Sequence, residues 1–302
     1  MGILKCIGNT PLALIKNINP NPRVKLYVKL EGNNPGGSVK DRIALFMIEN
    51  AEKEGKLSRD KIILEATSGN TGIGLAMVAS AKRYRVKLTM PACVSLERRR
   101  ILEALGAELI LSPSEEGTDG AIRLAHRILE EDTNLYFMPN QFDNPGNVQA
   151  HYETTGKEII EQTKGAITHF IAGMGTTGTL MGAGRRLKEF NKDIKITGVE
   201  PVLGHRIQGL KNMSESIVPK IFNPAFLDER YIVNDDEAFD STRMLATREG
   251  IFAGMSSGAA MYIALKKSSE LKEGVIVVIL PDRGDRYLST SLFTSVCAKC
   301  PP

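Results

Sequence analysis

The chain has 302 residues, a length that exceeds one usual domain and predicts two domains or one large α/β unit. Apolar residues make up 42% and charged residues 25%, an ordinary globular composition that excludes a disordered, collagen-like or coiled-coil chain. The net charge of +4 is small and the basic residues are scattered, which disfavours a nucleic-acid-binding protein.

Hydropathy and cysteine content predict a cytoplasmic protein. No apolar run approaches the roughly 20 residues of a membrane span, and the N-terminus lacks a signal core. Four cysteines in a chain of this length favour a reducing compartment. Cys297 and Cys300 form a Cys-x-x-Cys pair without a second pair or a nearby histidine. We interpret that pair as a mobile tail, with a redox or metal role as the alternative, and predict no metal site.

The first half of the chain alternates strands with helices. Val24 to Leu30 has strand alternation and runs into a Gly/Pro/Asn-rich loop. Ser38 and Asp41 have the spacing of a capping box, which opens a helix and puts Lys40 in its first turn. Further strands are predicted at 61–65, 86–90 and 109–111, and further helices at 71–84, 96–105 and 120–131. Cys93, between two of these elements, is interpreted as a small buried apolar residue.

The second half resumes the same rhythm after a turn-rich stretch at 139–146. The predicted strands are 169–172, 194–199 and 275–280, and the predicted helices are 149–162, one ending near 190, 238–248 and 257–271. Residues 204–228 lack clear periodicity. Strands alternating with helices predict mostly parallel sheets covered on both faces. We therefore expect an α/β fold of two domains that meet near residue 145.

Three glycine-rich loops, each leading into a helix, are the features that indicate chemistry. Gly173 to Thr179 offers backbone N–H groups, hydroxyls and a helix N-terminus, which together bind a phosphate dianion. It lacks the Gly-Lys-Ser/Thr ending of a P-loop. Thr67 to Gly72 offers the same groups to a substrate carboxylate, and its glycine order does not fit a dinucleotide fingerprint. Gly254 to Gly258 is the third loop, for which a simple helix cap is the alternative.

Lys40 stands out by its position in a Gly/Pro loop at a helix N-terminus. The positive end of the helix dipole disfavours an ammonium there and favours a neutral amine or an imine. A solvated surface lysine is the alternative interpretation.

These features, taken with further motifs, identify a family: the chain resembles the cysteine synthases (O-acetylserine sulfhydrylases), B-type branch, among the fold-type II pyridoxal-phosphate enzymes. The motifs occur in the family's order over nearly the whole chain, at 34–42, 67–72, 95–99, 141–145, 173–179, 198–201 and around Ser256. The resemblance implies a tryptophan synthase β-subunit-like fold. Its two domains would be a smaller mobile one, 42–145, and a larger cofactor-binding one, 1–41 plus 146–302.

The resemblance also implies which residues form the site. Pyridoxal 5′-phosphate would be held by Lys40 as a Schiff base, by Asn70 and Ser256 at the ring, and by Gly175, Thr176, Thr177, Gly178 and Thr179 at the phosphate. The substrate would be bound by Thr67, Ser68, Thr71 and Gln141, with Lys211 as a further contact. Lys211 falls where relatives that prefer O-phosphoserine or thiosulfate have an arginine, and a solvated lysine is the alternative.

The implied reaction is β-replacement on O-acetyl-L-serine or O-phospho-L-serine by sulfide or thiosulfate. It gives L-cysteine or S-sulfocysteine through an aminoacrylate. Cystathionine β-synthase or serine/threonine dehydratase activity is the enzymatic alternative, and a catalytically silent cofactor-binding or partner-docking protein is the alternative of another class. A homodimer is implied by the family, whereas docking to serine acetyltransferase is an option that no residue supports. Nucleic acid and membrane are not expected as partners.

Overall fold

The computed structural model of the chain describes residues 2–214 and 218–293, which form two compact units. Unit 1 contains residues 2–7 and 34–150, and unit 2 contains residues 8–33 and the described residues from 151 onward. The predicted domain bounds, 42–145 against 1–41 plus 146–302, stay a prediction. The Cys297 and Cys300 pair lies outside the described residues.

Strands and helices alternate along most of the chain. The strands are β1 (Leu12–Leu14), β2 (Val24–Leu30), β3 (Ile62–Ala66), β4 (Arg85–Pro91), β5 (Glu108–Ser112), β6 (Tyr136–Phe137), β7 (His169–Gly173), β8 (Lys195–Pro201), β9 (Glu229–Val233) and β10 (Gly274–Leu280). The α-helices are α1 (Lys40–Lys53), α2 (Asn70–Lys82), α3 (Leu96–Ala104), α4 (Gly117–Glu131), α5 (Pro145–Ala150), α6 (Gly156–Gln162), α7 (Gly178–Phe190), α8 (Asp235–Glu249) and α9 (Met255–Glu270). No helix within the described ranges is long and apolar enough to cross a membrane.

Unit 1 is built on a four-stranded sheet in the order β5-β4-β3-β6, and all its strand pairs are parallel. The central strand β3 is buried over its first four residues, as expected for a parallel sheet covered on both faces. Met47 of α1 and Leu75 of α2 pack with Ile63 and Leu88 in its core. Parallel strands bring the loops after β3, β4 and β6 to one edge of the sheet.

Unit 2 is built on a six-stranded sheet in the order β1-β2-β10-β7-β8-β9. Only β1 pairs antiparallel among these strands, at the edge against β2. Val28, Ile171 and Val278 from three neighbouring strands pack with Met261 of α9 in its core. The carboxyl ends of β7, β8 and β10 therefore share one edge. These two sheets with flanking helices confirm the predicted α/β fold.

The prediction of a capping box at Ser38 and Asp41 is wrong, although the helix predicted to start there is present. The N-cap position is Val39, and the hydroxyl of Ser38 accepts the N–H of Lys40 at 3.2 Å. The Asp41 carboxylate Oδ2 instead accepts the N–H of Gly36 at 2.5 Å. Asp41 closes the glycine-rich loop onto α1 and thereby fixes the backbone on both sides of Lys40.

The helix predicted at 149–162 is broken into three pieces. Between α5 and α6, residues His151–Thr155 form a π-helical turn. Such turns are rare and occur often at functional sites. The sequence retains helical periodicity through this stretch, so hydrophobic spacing alone does not reveal the change of hydrogen-bond pattern. Strands β1, β6 and β9 were not predicted, since each is short or half exposed.

Cys93 is exposed, which contradicts the buried position predicted for it. The guanidinium of Arg99 accounts for this. Its Nε donates to the carbonyl of Val94 at 3.0 Å and its Nη2 donates to the carbonyl of Ala92. Because the carbonyls on both sides of Cys93 turn to Arg99, the loop is tied to α3 and the thiol between them points away from the core.

Candidate active site

Lys40, the predicted cofactor-binding lysine, is the first residue of α1 and is partly buried in unit 1. The neighbouring helix α2 approaches it closely. A Cβ placed on Gly74 would lie 3.0 Å from the carbonyl oxygen of Lys40 and 3.2 Å from Cβ of Ala44. A side chain at this position would require α1 and α2 to move apart by a few tenths of an ångström. The first turn of α1 is thereby packed against α2, the helix that follows the Thr67 to Gly72 loop.

The Thr67 to Gly72 loop connects the carboxyl end of β3 to the first turn of α2. Thr67, Ser68 and Asn70 are partly buried, whereas Thr71 is buried at 3% exposure. A Cβ on Gly72 would lie 3.2 Å from Cγ2 of Thr67, so the loop folds tightly over the helix N-terminus. Backbone N–H groups and the helix dipole at such an end favour a bound anion.

Gln141 lies in the loop after β6 and is buried in the same unit. The Thr71 hydroxyl donates to its side-chain oxygen Oε1 at 2.6 Å. Its backbone carbonyl accepts from Nδ2 of Asn147 at 2.8 Å. The structure thus brings Gln141 and the Thr67 to Gly72 loop together at the carboxyl edge of the unit 1 sheet.

Glu65, one strand residue before this loop begins, is a buried acid that the sequence analysis missed. Burial raises the pKa of its carboxyl to about 7, although the nearby backbone N–H groups of Asn140, Ala66 and Gln141 favour the ionised form and oppose the shift. Its Oε2 has no hydrogen-bond partner among the described residues. An acid at the end of a buried strand was the signal that could have found it, because apolar residues otherwise fill such positions.

In unit 2, the predicted phosphate loop runs from the end of β7 to the first turn of α7. Thr177 has φ of 66°, a left-handed conformation that is uncommon for a β-branched residue. It is 3% exposed, and its hydroxyl has no hydrogen-bond partner in the described part of the chain. Strain and an unpaired buried hydroxyl in one residue indicate a site that a ligand completes.

The segment from Gly209 to Met213 lies directly against the phosphate loop. The N–H of Lys211 donates to the carbonyl of Met174 at 2.8 Å. A Cβ on Gly175 would lie 2.6 Å from the carbonyl oxygen of Gly209. The buried carboxylate of Glu200 secures this segment by accepting the Met213 N–H at 3.1 Å. The backbone at Lys211 is therefore fixed beside the loop.

Ser256 is the second residue of α9 and is buried at 3% exposure. A Cβ on Gly209 would lie 3.8 Å from its Oγ, so the serine faces the segment that packs on the phosphate loop. Gly254, the residue before α9, packs so closely on the segment after β10 that it leaves no room for a side chain. A Cβ there would lie 2.2 Å from Oδ1 of Asp282, just after β10.

His151, which sequence reasoning missed, reaches the phosphate loop from the π-helical turn. It is 1% exposed, with Nε2 at 3.2 Å from Oγ1 of Thr179 and Nδ1 at 2.9 Å from Oγ1 of Thr155. If the Thr155 hydroxyl donates to Nδ1, the ring N–H is at Nε2 and donates to Thr179. The Thr179 hydroxyl then has its own proton available for a ligand.

The predicted site residues therefore fall into two groups, each assembled within its own unit. Unit 1 carries Lys40, Thr67, Ser68, Asn70, Thr71 and Gln141, and unit 2 carries Gly175, Thr176, Thr177, Gly178, Thr179, Lys211 and Ser256. The unit 2 group offers N–H and hydroxyl donors to a phosphate. The unit 1 group offers an amine and a second anion site.

Comparison with known proteins gives the same chemistry. Residues 3–282 match the family model described as pyridoxal-phosphate dependent enzyme. A cysteine synthase of Aquifex aeolicus is 47% identical over 300 residues, covering 97% of this chain and 92% of that protein. Cysteine synthase B of Salmonella typhimurium is 48% identical over 287 residues, covering 95% and 94% of the two chains. The crystal structure of the Entamoeba histolytica cysteine synthase matches with a TM-score of 0.92 and 39% identity, over 97% of this chain and 90% of that one.

Proposed function

The chain belongs to the pyridoxal-phosphate dependent enzymes and, among them, to the B-type cysteine synthases, and we propose that it replaces the β-substituent of O-acetyl-L-serine or O-phospho-L-serine with sulfur. The donor is sulfide or thiosulfate, and the product is L-cysteine or S-sulfocysteine. The alternatives, cystathionine β-synthase and serine/threonine dehydratase, are not favoured, because relatives that match over nearly the whole chain are cysteine synthases. A catalytically silent protein is not favoured either, because Lys40 and every anion-binding loop are present.

The observation that carries the proposal is Thr177. Its buried hydroxyl lacks a partner among the described residues, and its backbone has a positive φ at the start of α7. A phosphate dianion accepts hydrogen bonds from such a hydroxyl and from the surrounding N–H groups. The loop therefore fits the phosphate of the cofactor, with Gly175, Thr176, Gly178 and Thr179 as the other contacts.

When bound, pyridoxal phosphate supplies an electron sink for the bond-breaking steps at Cα of the amino acid. In our proposal Asn70 and Ser256 contact its ring. The neutral Ser256 hydroxyl would pair with the ring nitrogen without protonating it. Such a partner suits β-elimination better than transamination.

Lys40 takes the proton-transfer role. Its amine holds the cofactor at rest, removes the Cα proton from the substrate and returns a proton at the end of the cycle. The position of Lys40 supports this role, because the helix N-terminus disfavours a permanent ammonium. The bonds that Ser38 and Asp41 make with the backbone fix the start of the helix.

The substrate carboxylate is assigned to Thr67, Ser68, Thr71 and Gln141. The hydrogen bond of 2.6 Å between Thr71 and Gln141 supports this assignment, since it holds two of the four side chains at one place. A carboxylate would replace that bond and accept from the Thr71 hydroxyl and the Gln141 amide. The first turn of α2 adds N–H donors.

Lys211 is proposed to select the leaving group or the sulfur donor. Its backbone lies beside the phosphate loop, fixed to Met174 and secured through Met213 by Glu200. An ammonium there would favour a dianionic phosphate or thiosulfate over the neutral acetyl group or the smaller sulfide. The lysine ammonium is a single point charge and cannot make the bidentate hydrogen bonds of an arginine guanidinium.

We also propose a homodimer and a cytoplasmic location. Both are expected from the family, and the location is supported by the low cysteine content. A role for serine acetyltransferase as a partner has no support among the described residues.

The absorbance spectrum of the purified protein tests the function. A visible band of bound cofactor is expected, and it should shift when one amino-acid donor is added and return when sulfide or thiosulfate follows. Separate additions of O-acetyl-L-serine, O-phospho-L-serine and L-serine identify the leaving group. A protein that gains no visible band after incubation with pyridoxal phosphate would contradict the proposal.

A further inference from the structure

Glu200 is a buried acid at the carboxyl end of β8, in the sheet of unit 2. It is the residue before Pro201, with which the strand ends, and is 2% exposed. The strand residues before it, from Ile196 onward, are buried as well. A carboxylate is costly in such a place unless charged and polar partners compensate for the water it has lost.

Arg230 of the neighbouring strand β9 supplies the charge that Glu200 needs. Its Nε lies 2.5 Å from Oε1 of Glu200, and its Nη2 donates to Oε2 at 2.6 Å. The guanidinium therefore binds both oxygens of the carboxylate. Two parallel bonds of this kind fix the orientation of a carboxylate as well as neutralising its charge.

The third partner of Glu200 is a backbone group. The N–H of Met213, 13 residues further along the chain, donates to Oε2 at 3.1 Å. A buried ion pair is by itself weak evidence for a role in stability, because apolar residues of similar volume often stabilise a protein equally well. The bond to Met213 gives the oriented carboxylate another role, which is to hold the segment that contains Met213.

The two residues before Met213 are also tied to the ends of strands. The N–H of Lys211 donates to the carbonyl of Met174, just after β7, at 2.8 Å. The side-chain Nδ2 of Asn212 donates to the carbonyl of Pro201 at 2.7 Å. Lys211 therefore has its own bond to the phosphate loop and is followed directly by two further attachments. A shift of its backbone would break at least one of these bonds.

We propose that Glu200, oriented by Arg230, is a positioning residue that sets the selectivity of the enzyme for anionic substrates by holding the backbone of Lys211. The inference rests on the proposed function, because it takes Lys211 as the residue that favours a dianionic phosphate or thiosulfate. Coulomb attraction falls with distance, so an ammonium on a displaced backbone loses part of that preference. Arg230 neutralises Glu200, so this attachment adds no net charge beside the segment.

Glu200→Met is the test, because it removes both acceptor oxygens and keeps the length of the side chain. Selectivity is measured as the ratio of kcat/KM for O-phospho-L-serine to that for O-acetyl-L-serine, and as the ratio for thiosulfate to that for sulfide. Whichever ratio Lys211→Met lowers, Glu200→Met should lower about tenfold, the effect of one misplaced hydrogen bond to a charged group. A smaller folded fraction reduces both members of a ratio equally, so a purely structural role would leave the ratio unchanged.

Glu229→Met is the matched control. Glu229 lies on β9 in the same sheet, and it also accepts from a basic side chain and a second donor, Lys267 at 2.8 Å and the Thr197 hydroxyl at 3.1 Å. Neither partner belongs to the Gly209 to Met213 segment. This variant should keep the wild-type ratios. Wild-type ratios in Glu200→Met, or an equal fall in Glu229→Met, would overturn the proposal.

The double variant of Glu200→Met and Lys211→Met tests whether Glu200 acts through Lys211. Its ratio should equal that of Lys211→Met alone, because the ammonium that Glu200 positions is gone. A further fall would contradict the positioning role. If Lys211→Met itself changed neither ratio, the selectivity assigned to Lys211 in the proposed function would fail and the inference with it. If only Glu200→Met changed neither, the inference alone would fail.

Hydrogen exchange of the Lys211 amide gives a readout that does not depend on activity. Its rate is compared with that of the Ile171 amide in the centre of β7, which reports opening of the whole sheet. The relative rate should rise in Glu200→Met and stay at the wild-type value in Glu229→Met. An equal relative rate in all three proteins would overturn the proposal. If Glu200→Met does not fold, Arg230→Met, which removes the two bonds that orient the carboxylate, replaces it in every measurement.

Discussion

At the scale of single residues, Lys40 carries the most specific expectation. Lys40→Ala removes the amine that is proposed to hold the cofactor and move the Cα proton, so turnover should fall by at least about a thousandfold. Reduction of the wild-type protein with borohydride should leave the cofactor bound to it covalently. Intact-mass measurement should find that added mass in the wild type and not in Lys40→Ala.

Lys53→Ala, at the exposed last turn of the same helix, is the control. It should retain both turnover and the covalent adduct. If Lys40→Ala kept wild-type turnover, another amine would have to be the base, and the assignment of α1 as the catalytic helix would be wrong.

His151 is expected to act on cofactor binding through Thr179. His151→Asn withdraws the ring nitrogen that lies 3.2 Å from the Thr179 hydroxyl, so that hydroxyl loses its orientation toward a phosphate. The Kd for pyridoxal phosphate should rise about tenfold, the effect of one hydrogen bond to a charged ligand. Titration of the apoprotein with the cofactor, followed by visible absorbance, measures it.

The control for His151 is His126→Asn, an exposed histidine on α4. That variant should bind the cofactor as the wild type does. An unchanged Kd in a folded His151→Asn protein would show that Thr179 is oriented without the histidine.

At the scale of elements, the strands and loops that present the site were largely predictable. Val24–Leu30 is β2 as predicted, and the loops at 67–72 and 173–179 lie at the carboxyl ends of parallel strands as expected. Apolar alternation and glycine clusters are local signals, so they survive in the sequence. The π-helical turn at 151–155 is different, because it depends on buried contacts of His151 with Thr155 and Thr179.

Gly175 in the phosphate loop is needed for a steric reason that the spacing of glycines in the sequence does not reveal. Gly175→Ala would place a Cβ 2.6 Å from the carbonyl oxygen of Gly209, so one of the two segments must move. Because the same loop is proposed to hold the phosphate of the cofactor, cofactor affinity should fall by about tenfold or more. Equilibrium dialysis against pyridoxal phosphate measures the change.

Gly2→Ala is the matched control, since a Cβ at that position meets nothing within 4 Å. It should leave cofactor affinity unchanged. If Gly175→Ala bound pyridoxal phosphate with wild-type affinity, the Gly209 to Met213 segment would be able to move without weakening cofactor binding. Its packing would then not determine the conformation of the loop.

At the scale of the whole molecule, the alternation of strands and helices in the sequence predicted two sheets of mostly parallel strands. The sequence did not predict which charged side chains are buried. Glu65 is one acid after an apolar run in the sequence, and the sequence does not show that it is buried in unit 1 with a raised pKa. Lys29 is likewise fully buried and pairs with Glu158 at 2.6 Å across unit 2. Contacts between residues so far apart leave no periodic signal.

The stability of the protein should depend on pH through Glu65 in a predictable direction. Its pKa is raised from 4.5 to about 7 in the folded chain, so between these values the unfolded chain ionises while the folded chain stays protonated. Stability is therefore lost as pH rises through this window, by about 3 kcal/mol in total, and is level above it. Glu52 and Asp228 have lowered pKa values and act in the opposite direction.

Comparison with Glu65→Gln isolates the contribution of Glu65 to the pH dependence of stability, because the other carboxyls are common to both proteins. The variant should gain on the wild type, in free energy of unfolding by urea, as pH rises from about 4.5 to about 7, and the gap should then stay constant. Glu103→Gln, on the exposed face of α3, is the control and should show no such gain. A gap that is the same from about pH 4.5 to about pH 7 would mean that folding does not raise the pKa of Glu65, so that its surroundings fully compensate the cost of burying its carboxylate.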